Sequence, residues 1–236
     1  MKTMVLIHGW GTDGRIWQRQ VAAFQDQLQV LTPTISAWKP RLLRDYLQGL
    51  PLGESLLVGW SLGGMLLLET LAQMKVSPGG LVLVGTCASF CRHADYPWGQ
   101  PAAVVRAMRR ALQDDPRKVL EDFAFRCLAP GEENFRPETA ALFGSTAPPD
   151  NLGPGLNYLL SQDLRPQLSQ VPGAAVIIQG DQDRIVPPAQ AEFLKERIPD
   201  ARLYLLPGAG HLPFVTQARA FNEMLREWIE GGGSGS

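Results

Sequence analysis

Between Leu56 and Leu68 a short apolar run gives way to a long one through Gly59-Trp60-Ser61-Leu62-Gly63. Leu56 to Val58 fits a buried strand. Residues 62–74 are dominated by good helix formers and fit a helix. A strand that turns so abruptly into a helix needs positions without a Cβ, and Gly59 and Gly63 supply them. Ser61 is then held on a strained turn with its hydroxyl pointing out of the sheet. The Leu62 N–H, at the helix start, points at the space where an oxyanion would form. The stretch therefore predicts a nucleophilic serine. The competing reading is a glycine-rich turn that carries a solvated serine.

The remaining segments repeat the strand-then-helix theme. Strands are expected at 4–7, 29–32, 80–84, 174–178 and 202–206, and helices at 15–27, 40–49 and 216–229. Such alternation predicts an α/β fold, a mostly parallel sheet with helices on both faces. The interval 87–168 breaks it, with helical patterns near 101–113, 116–128, 135–144 and 154–162 and turn-like residues at 147–150 and 152–154. We read it as a helical cap inserted after the fourth strand, on a core made of 1–86 and 169–230. An independent helical domain is the alternative. The glycine–serine run 231–236 reads as a linker outside the fold.

Composition narrows the class of function. With 236 residues, 45% hydrophobic and 19% charged, the chain can bury a large core. A formal net charge of -1 argues against nucleic-acid binding. Cys87, Cys91 and Cys127 make neither a disulfide framework nor a zinc pattern. Met4–Ile7 is too short for a secretory apolar region, and no run is long enough to span a membrane, so a cytoplasmic protein is expected. A monomer is the default.

A serine hydroxyl needs a base, and the base needs an orienting acid. Of three histidines, His211 follows the sixth strand in Gly208-Ala209-Gly210-His211-Leu212-Pro213-Phe214, at the sheet edge where Ser61 is expected. His8 belongs to the first turn in a structural role, and His93 to the start of the cap. Asp181 and Asp183 both follow the fifth strand. Both are candidates for the acid; Asp183 is preferred, because Asp181 could equally tie its own turn through backbone N–H groups. The oxyanion donors are expected to be the N–H groups of Leu62 and Trp10, and the Trp10 ring is a candidate wall of the acyl pocket. This chemistry needs no cofactor or metal.

With these residues in place the chain resembles the α/β-hydrolases, in which nucleophile, acid and base follow the order Ser61, Asp183, His211. Within them it is similar to the esterases of biotin synthesis that act on pimeloyl-[acyl-carrier protein] methyl ester. The likeness rests on His8-Gly9-Trp10-Gly11, on Gly59-Trp60-Ser61-Leu62-Gly63-Gly64, on Asp163-Leu164-Arg165-Pro166 and on His211-Leu212-Pro213-Phe214. It implies a serine carboxylesterase with substrate contacts at Trp10, Trp60, Leu62, His211 and the cap stretch from Phe123 to Cys127. It also implies an acyl carrier protein as partner. Arg106, Arg109 and Arg110, at helical spacing, with Arg117 and Lys118, would form the basic face for such an acidic carrier. A merely solvated helix face is the alternative for them. Because the first motif follows so soon after Met1, the edge strands that usually precede it are expected to be reduced. Other readings are a small-ester carboxylesterase with no carrier, a lyase or C–C hydrolase, and a non-catalytic binding protein of this fold.

Overall fold

The computed structural model describes residues 1–144 and 149–231. Six strands form one fully parallel sheet: β1 (Thr3–Ile7), β2 (Gln29–Leu31), β3 (Ser55–Trp60), β4 (Gly80–Val84), β5 (Ala175–Gly180) and β6 (Arg202–Leu206), in the order β2-β1-β3-β4-β5-β6. Every residue of β1, β3, β4 and β5 is buried. Their continuous apolar runs are what a sheet covered on both faces requires. The register sets Ile7 beside Gly59 and Trp60 beside Val84, and pairs Gly180 with Leu206. The loops that leave β1, β3, β4, β5 and β6 therefore emerge along one rim. Strand order reverses between β1 and β3, so a crevice opens there, where open α/β sheets place their ligands.

Helices cover both faces: α1 (Gln18–Phe24), α2 (Pro40–Leu47) and α3 (Leu62–Met74) before β4, and α8 (Pro188–Arg197), α9 (Pro213–Thr216) and α10 (Ala218–Glu230) after β5. Helix α3 is buried over ten of its thirteen residues, as expected of a helix apolar on all sides. It starts hard against the sheet. A Cβ at Gly59 would lie 2.7 Å from the Gly64 Cα, and one at Gly63 would lie 2.7 Å from the Ile7 carbonyl oxygen.

Between β4 and β5, among the described residues, stand four α-helices: α4 (Ala102–Asp114), α5 (Pro116–Arg126), α6 (Arg136–Gly144) and α7 (Pro149–Ser161). Its two connections to the sheet meet. Ser89 bridges Asp163, and Arg165 links Asp163 and Asp95, each through a 2.7–2.8 Å contact. The Asp163-Leu164-Arg165 segment is thus the clasp at the base of this insertion.

Two expectations need correcting. The residues 149–150 and 152–154 do not turn. They run inside α7, with Pro154 within the helix. The helix persists because it packs on two tryptophans: a Cβ at Gly155 would lie 2.5 Å from Trp10 Cδ1 and 2.7 Å from Trp38 Nε1. Positions 147 and 148 of the expected turn, and 232–236 of the linker, lie outside the described residues, while Gly231 ends α10. The helix expected at 216–229 is two, α9 and α10, broken at Gln217. Helix α8 has no apolar stripe to reveal it. Its signal is the proline at its first turn followed by helix formers.

Candidate active site

The turn after β3 places Ser61 at φ 54° and ψ -121°, backbone that a residue with a Cβ rarely adopts. Two contacts hold it there. The Ser61 N–H donates to the Val84 carbonyl (2.9 Å), and the Ser61 carbonyl accepts from the Met65 N–H (3.0 Å), the first bond of α3. Leu62 opens the helix, so its N–H has no carbonyl one turn back. A Cβ at Gly9 would lie 3.2 Å from Ser61 Cβ, so the His8–Gly11 turn closes directly over the serine and sets Trp10 beside it.

The side chains at 61, 211 and 183 form one hydrogen-bonded chain. Ser61 Oγ lies 3.0 Å from His211 Nε2, and His211 Nδ1 lies 2.7 Å from Asp183 Oδ2. Both His211 and Asp183 are buried. With Nδ1–H donated to the carboxylate, Nε2 is left as the acceptor for the serine proton, the tautomer a general base requires. Asp183 is held by four donors. Its Oδ1 accepts from the N–H groups of Ile185 (2.8 Å) and Val186 (2.9 Å), and its Oδ2 accepts from Gln179 Nε2 (2.9 Å) as well as from the imidazole. Asp181 does not tie its own turn. Its Oδ1 reaches across to the Gly208 N–H at 2.7 Å and joins the loop after β5 to the loop after β6.

The helical insertion grips the His211 loop. The His211 N–H donates to the Cys127 carbonyl (2.7 Å), and Glu132 Oε2 accepts from the N–H groups of Gly210 (3.1 Å) and Ala129 (2.8 Å). The contact that Cys127 makes here is through its backbone. Its thiol is buried, and burial pushes that thiol and the one of Cys87 well above the usual range, so both stay protonated and unreactive. Trp60 is fully buried. Its indole N–H donates to the His211 carbonyl at 2.9 Å, and its ring packs on Phe143 and Phe214. Trp10 donates from Nε1 to the Leu152 carbonyl (2.8 Å) and meets Phe123 edge-on at 5.1 Å between centroids. His8 is a brace. It accepts from the Ile35 N–H at Nε2 (2.9 Å) and sets Nδ1 2.9 Å from the Gly9 carbonyl, while burial holds its imidazole below the ordinary value.

The basic residues divide. Arg106, Arg109 and Arg110 are exposed on α4, and Arg109 also donates to Asn157 of α7 at 2.6 Å. Arg109 and Arg110 line a cleft of about 280 Å³ together with Leu112, Gln113, Pro116, Leu152 and Gly153. Arg117 and Lys118 sit on α5 and face acids one turn on, Glu121 at 2.8 Å and Asp122 at 3.3 Å.

Sequence reasoning missed Gly85. It follows β4 at φ 50°, and a Cβ there would lie 2.9 Å from His211 Nδ1 and 3.5 Å from Asp183 Oδ2. The available signal was a glycine ending a central strand at the rim. Gly85→Ala is expected to push the imidazole off its line to Ser61 and lower kcat on the order of 100-fold. A steady-state assay on a p-nitrophenyl ester, with KM followed in parallel, measures this.

A strained serine after a central strand with a buried histidine–aspartate pair aligned on it is an arrangement in which a hydroxyl can be made nucleophilic. The chain belongs to the alpha/beta hydrolase family, whose sequence model matches residues 4–224. Its relatives include the pimeloyl-[acyl-carrier protein] methyl ester esterase of Aromatoleum aromaticum, 30% identical over 97% of this chain and 98% of that protein. The enzyme of the same name from Nitrosomonas europaea is 30% identical over 92% of each chain. Among solved structures, an esterase from Exiguobacterium antarcticum superposes with a TM-score of 0.87 at 21% identity, covering 98% of this chain and 92% of that one. At that identity the likeness concerns the fold.

Proposed function

We propose that this chain is a serine carboxylesterase that hydrolyses the methyl ester of pimeloyl-[acyl-carrier protein] in biotin synthesis, in the cytoplasm. The observation that carries the chemistry is the hydrogen-bonded run from Ser61 Oγ through His211 to Asp183. The substrate is taken from the two relatives named above, each matched over nine-tenths or more of its length. In this reading residues 87–168 cap a core of 1–86 and 169–230.

The steps follow from the donors and acceptors present. Ser61 Oγ attacks the ester carbonyl carbon while its proton passes to His211 Nε2. Asp183 steadies the imidazolium through Nδ1. The carbonyl oxygen, now negative, sits between the N–H groups of Leu62 and Trp10, each worth about 3 kcal/mol in such a position. The tetrahedral adduct collapses, the C–O bond to the methoxy group breaks, and His211 returns the proton to release methanol. Water then attacks the acyl-serine with His211 as base, and the free acid leaves. Trp10, Phe123 and Phe143 would wall the acyl chain. The cleft lined by Arg109 and Arg110 reaches Leu152, whose carbonyl anchors the Trp10 indole. A carrier docked on α4 would therefore deliver its chain toward the oxyanion site.

One observation favours a second reading, a small-ester carboxylesterase without a carrier: Arg117 and Lys118 are already paired with Glu121 and Asp122, which weakens the basic face. The readings part on one variant. In the carrier reading, Arg109→Glu with Arg110→Glu raises KM for the carrier-linked ester on the order of tenfold and spares a p-nitrophenyl ester. Equal effects on the two substrates would favour the second. Growth of a biotin-requiring strain that lacks this esterase, supplied with the wild-type chain and not with Ser61→Ala, tests the pathway assignment.

A further inference from the structure

Strand β5 reads Ala-Val-Ile-Ile-Gln-Gly, and Gln179 is its one polar side chain, fully buried. A buried amide in an apolar central strand carries a desolvation cost unless every polar atom is met. Here it is only half met. Nε2 faces Asp183 Oδ2 at 2.9 Å, the Val186 carbonyl at 2.9 Å and the Gly180 carbonyl at 3.2 Å, whereas Oε1 is buried with no partner. Three acceptors around one amide atom fix it as the nitrogen, because an oxygen there would face three other oxygens. A leucine or methionine would avoid the orphaned oxygen, so what distinguishes Gln179 is what its nitrogen donates to.

We infer that Gln179 is a positioning residue for the acid–base pair, its amide setting the direction and the acceptor strength of the Asp183 carboxylate toward His211. This rests on the esterase reading above. The oxygen that takes the Gln179 N–H is the one that takes the imidazole N–H. The carboxylate is thus pinned in plane by two donors on Oδ2 and two backbone N–H groups on Oδ1. The same amide ties the Val186 carbonyl at the far end of the loop 180–186, so one side chain spans the turn that presents Asp183. Around Asp183 the titratable neighbours are His211 and the thiols of Cys87 and Cys127, and burial keeps both thiols protonated. A change in pH behaviour on removing the amide therefore reports the Asp183–His211 pair.

Gln179→Met keeps the length and removes the donor. With less of its charge spent on the amide, Asp183 stabilises the imidazolium more. The acid limb of the kcat/KM profile for p-nitrophenyl acetate moves to higher pH, kcat falls on the order of tenfold, and KM is unchanged. Gln179→Glu, whose neutral carboxyl can still donate one hydrogen bond to Asp183 Oδ2 in place of the amide, moves the limb less than Gln179→Met. The His211 imidazole titration, followed by NMR in parent and variants, moves with the limb and does not depend on turnover. In the parent protein, the Gln179 side-chain amide proton shifts as His211 titrates, a test that survives if either variant fails to fold. An acid limb and an imidazole titration that stay at the parent's pH in a folded variant overturn the inference. A Gln179 amide proton indifferent to His211 protonation overturns it too. A parent chain that hydrolyses no ester overturns the esterase reading instead, and the NMR titrations still decide the role of Gln179.

Discussion

Replacing Ser61 by alanine is expected to lower kcat on a short p-nitrophenyl ester on the order of 10⁶-fold and to abolish labelling by a fluorophosphonate probe. The size of the loss follows from what remains. His211 and Asp183 keep their 2.7 Å contact, yet the base has no nucleophile to activate. Only the backbone donors and substrate binding are left to accelerate attack by water, a residual advantage of about 10³–10⁴-fold over the uncatalysed reaction. The fold is expected to survive. Alanine keeps the Cβ, so the turn at φ 54° carries the same strain as before. The loss is one hydroxyl hydrogen bond of about 1 kcal/mol, a change in Tm of no more than about 4 °C. Circular dichroism melts beside the kinetic assay separate loss of chemistry from loss of structure. Retained hydrolysis would remove Ser61 from the nucleophile's role. Failure of the parent chain to label would favour a binding protein of this fold.

Asp183→Asn is expected to reduce kcat on the order of 10⁴-fold with little effect on KM, through the wrong tautomer. The two backbone N–H groups of Ile185 and Val186 demand an oxygen at the Oδ1 position. An asparagine would satisfy them with its carbonyl and so turn its NH₂ toward His211. The imidazole must then accept at Nδ1 and carry its proton on Nε2, where it faces the Ser61 hydroxyl and can no longer take that proton. The Gln179 amide, now opposite another NH₂, is left without its 2.9 Å acceptor. The kcat, measured with the neutral tautomer read from imidazole nitrogen shifts, checks both halves of the argument. A variant with full kcat would mean that the acid orients nothing.

The two aspartates show how far residue patterns reach. Asp181 and Asp183 share one loop after β5, and spacing alone leaves both as candidates. The structure separates them by partner: Asp181 meets the Gly208 N–H and Asp183 the imidazole. The same holds for glycines. Gly59 and Gly63 declare themselves by bracketing Ser61, whereas Gly85 stands in an ordinary strand-end sequence. It matters because His211, 126 positions further along, rests against it.

The sequence by itself determined the strands, the order in which they recur and the turn at Ser61. These depend on the hydrophobicity, propensity and Cβ count of near neighbours, which are properties of short segments. It also pointed to His211 as the partner of Ser61, since of the three histidines His8 reads as part of the first turn and His93 as the start of the interval 87–168. The tertiary structure brought Asp183, the acid preferred from the sequence, to His211 and sent Asp181 to the Gly208 N–H, and it alone set Gly85 against His211 and Gln179 against Asp183. It also decided that α7 runs on through Gly153-Pro154-Gly155. Apart from Gln179, whose partners lie within seven residues of it, each of these is a contact between segments far apart in the chain, and its energy is set by a fit of atoms that no local pattern encodes.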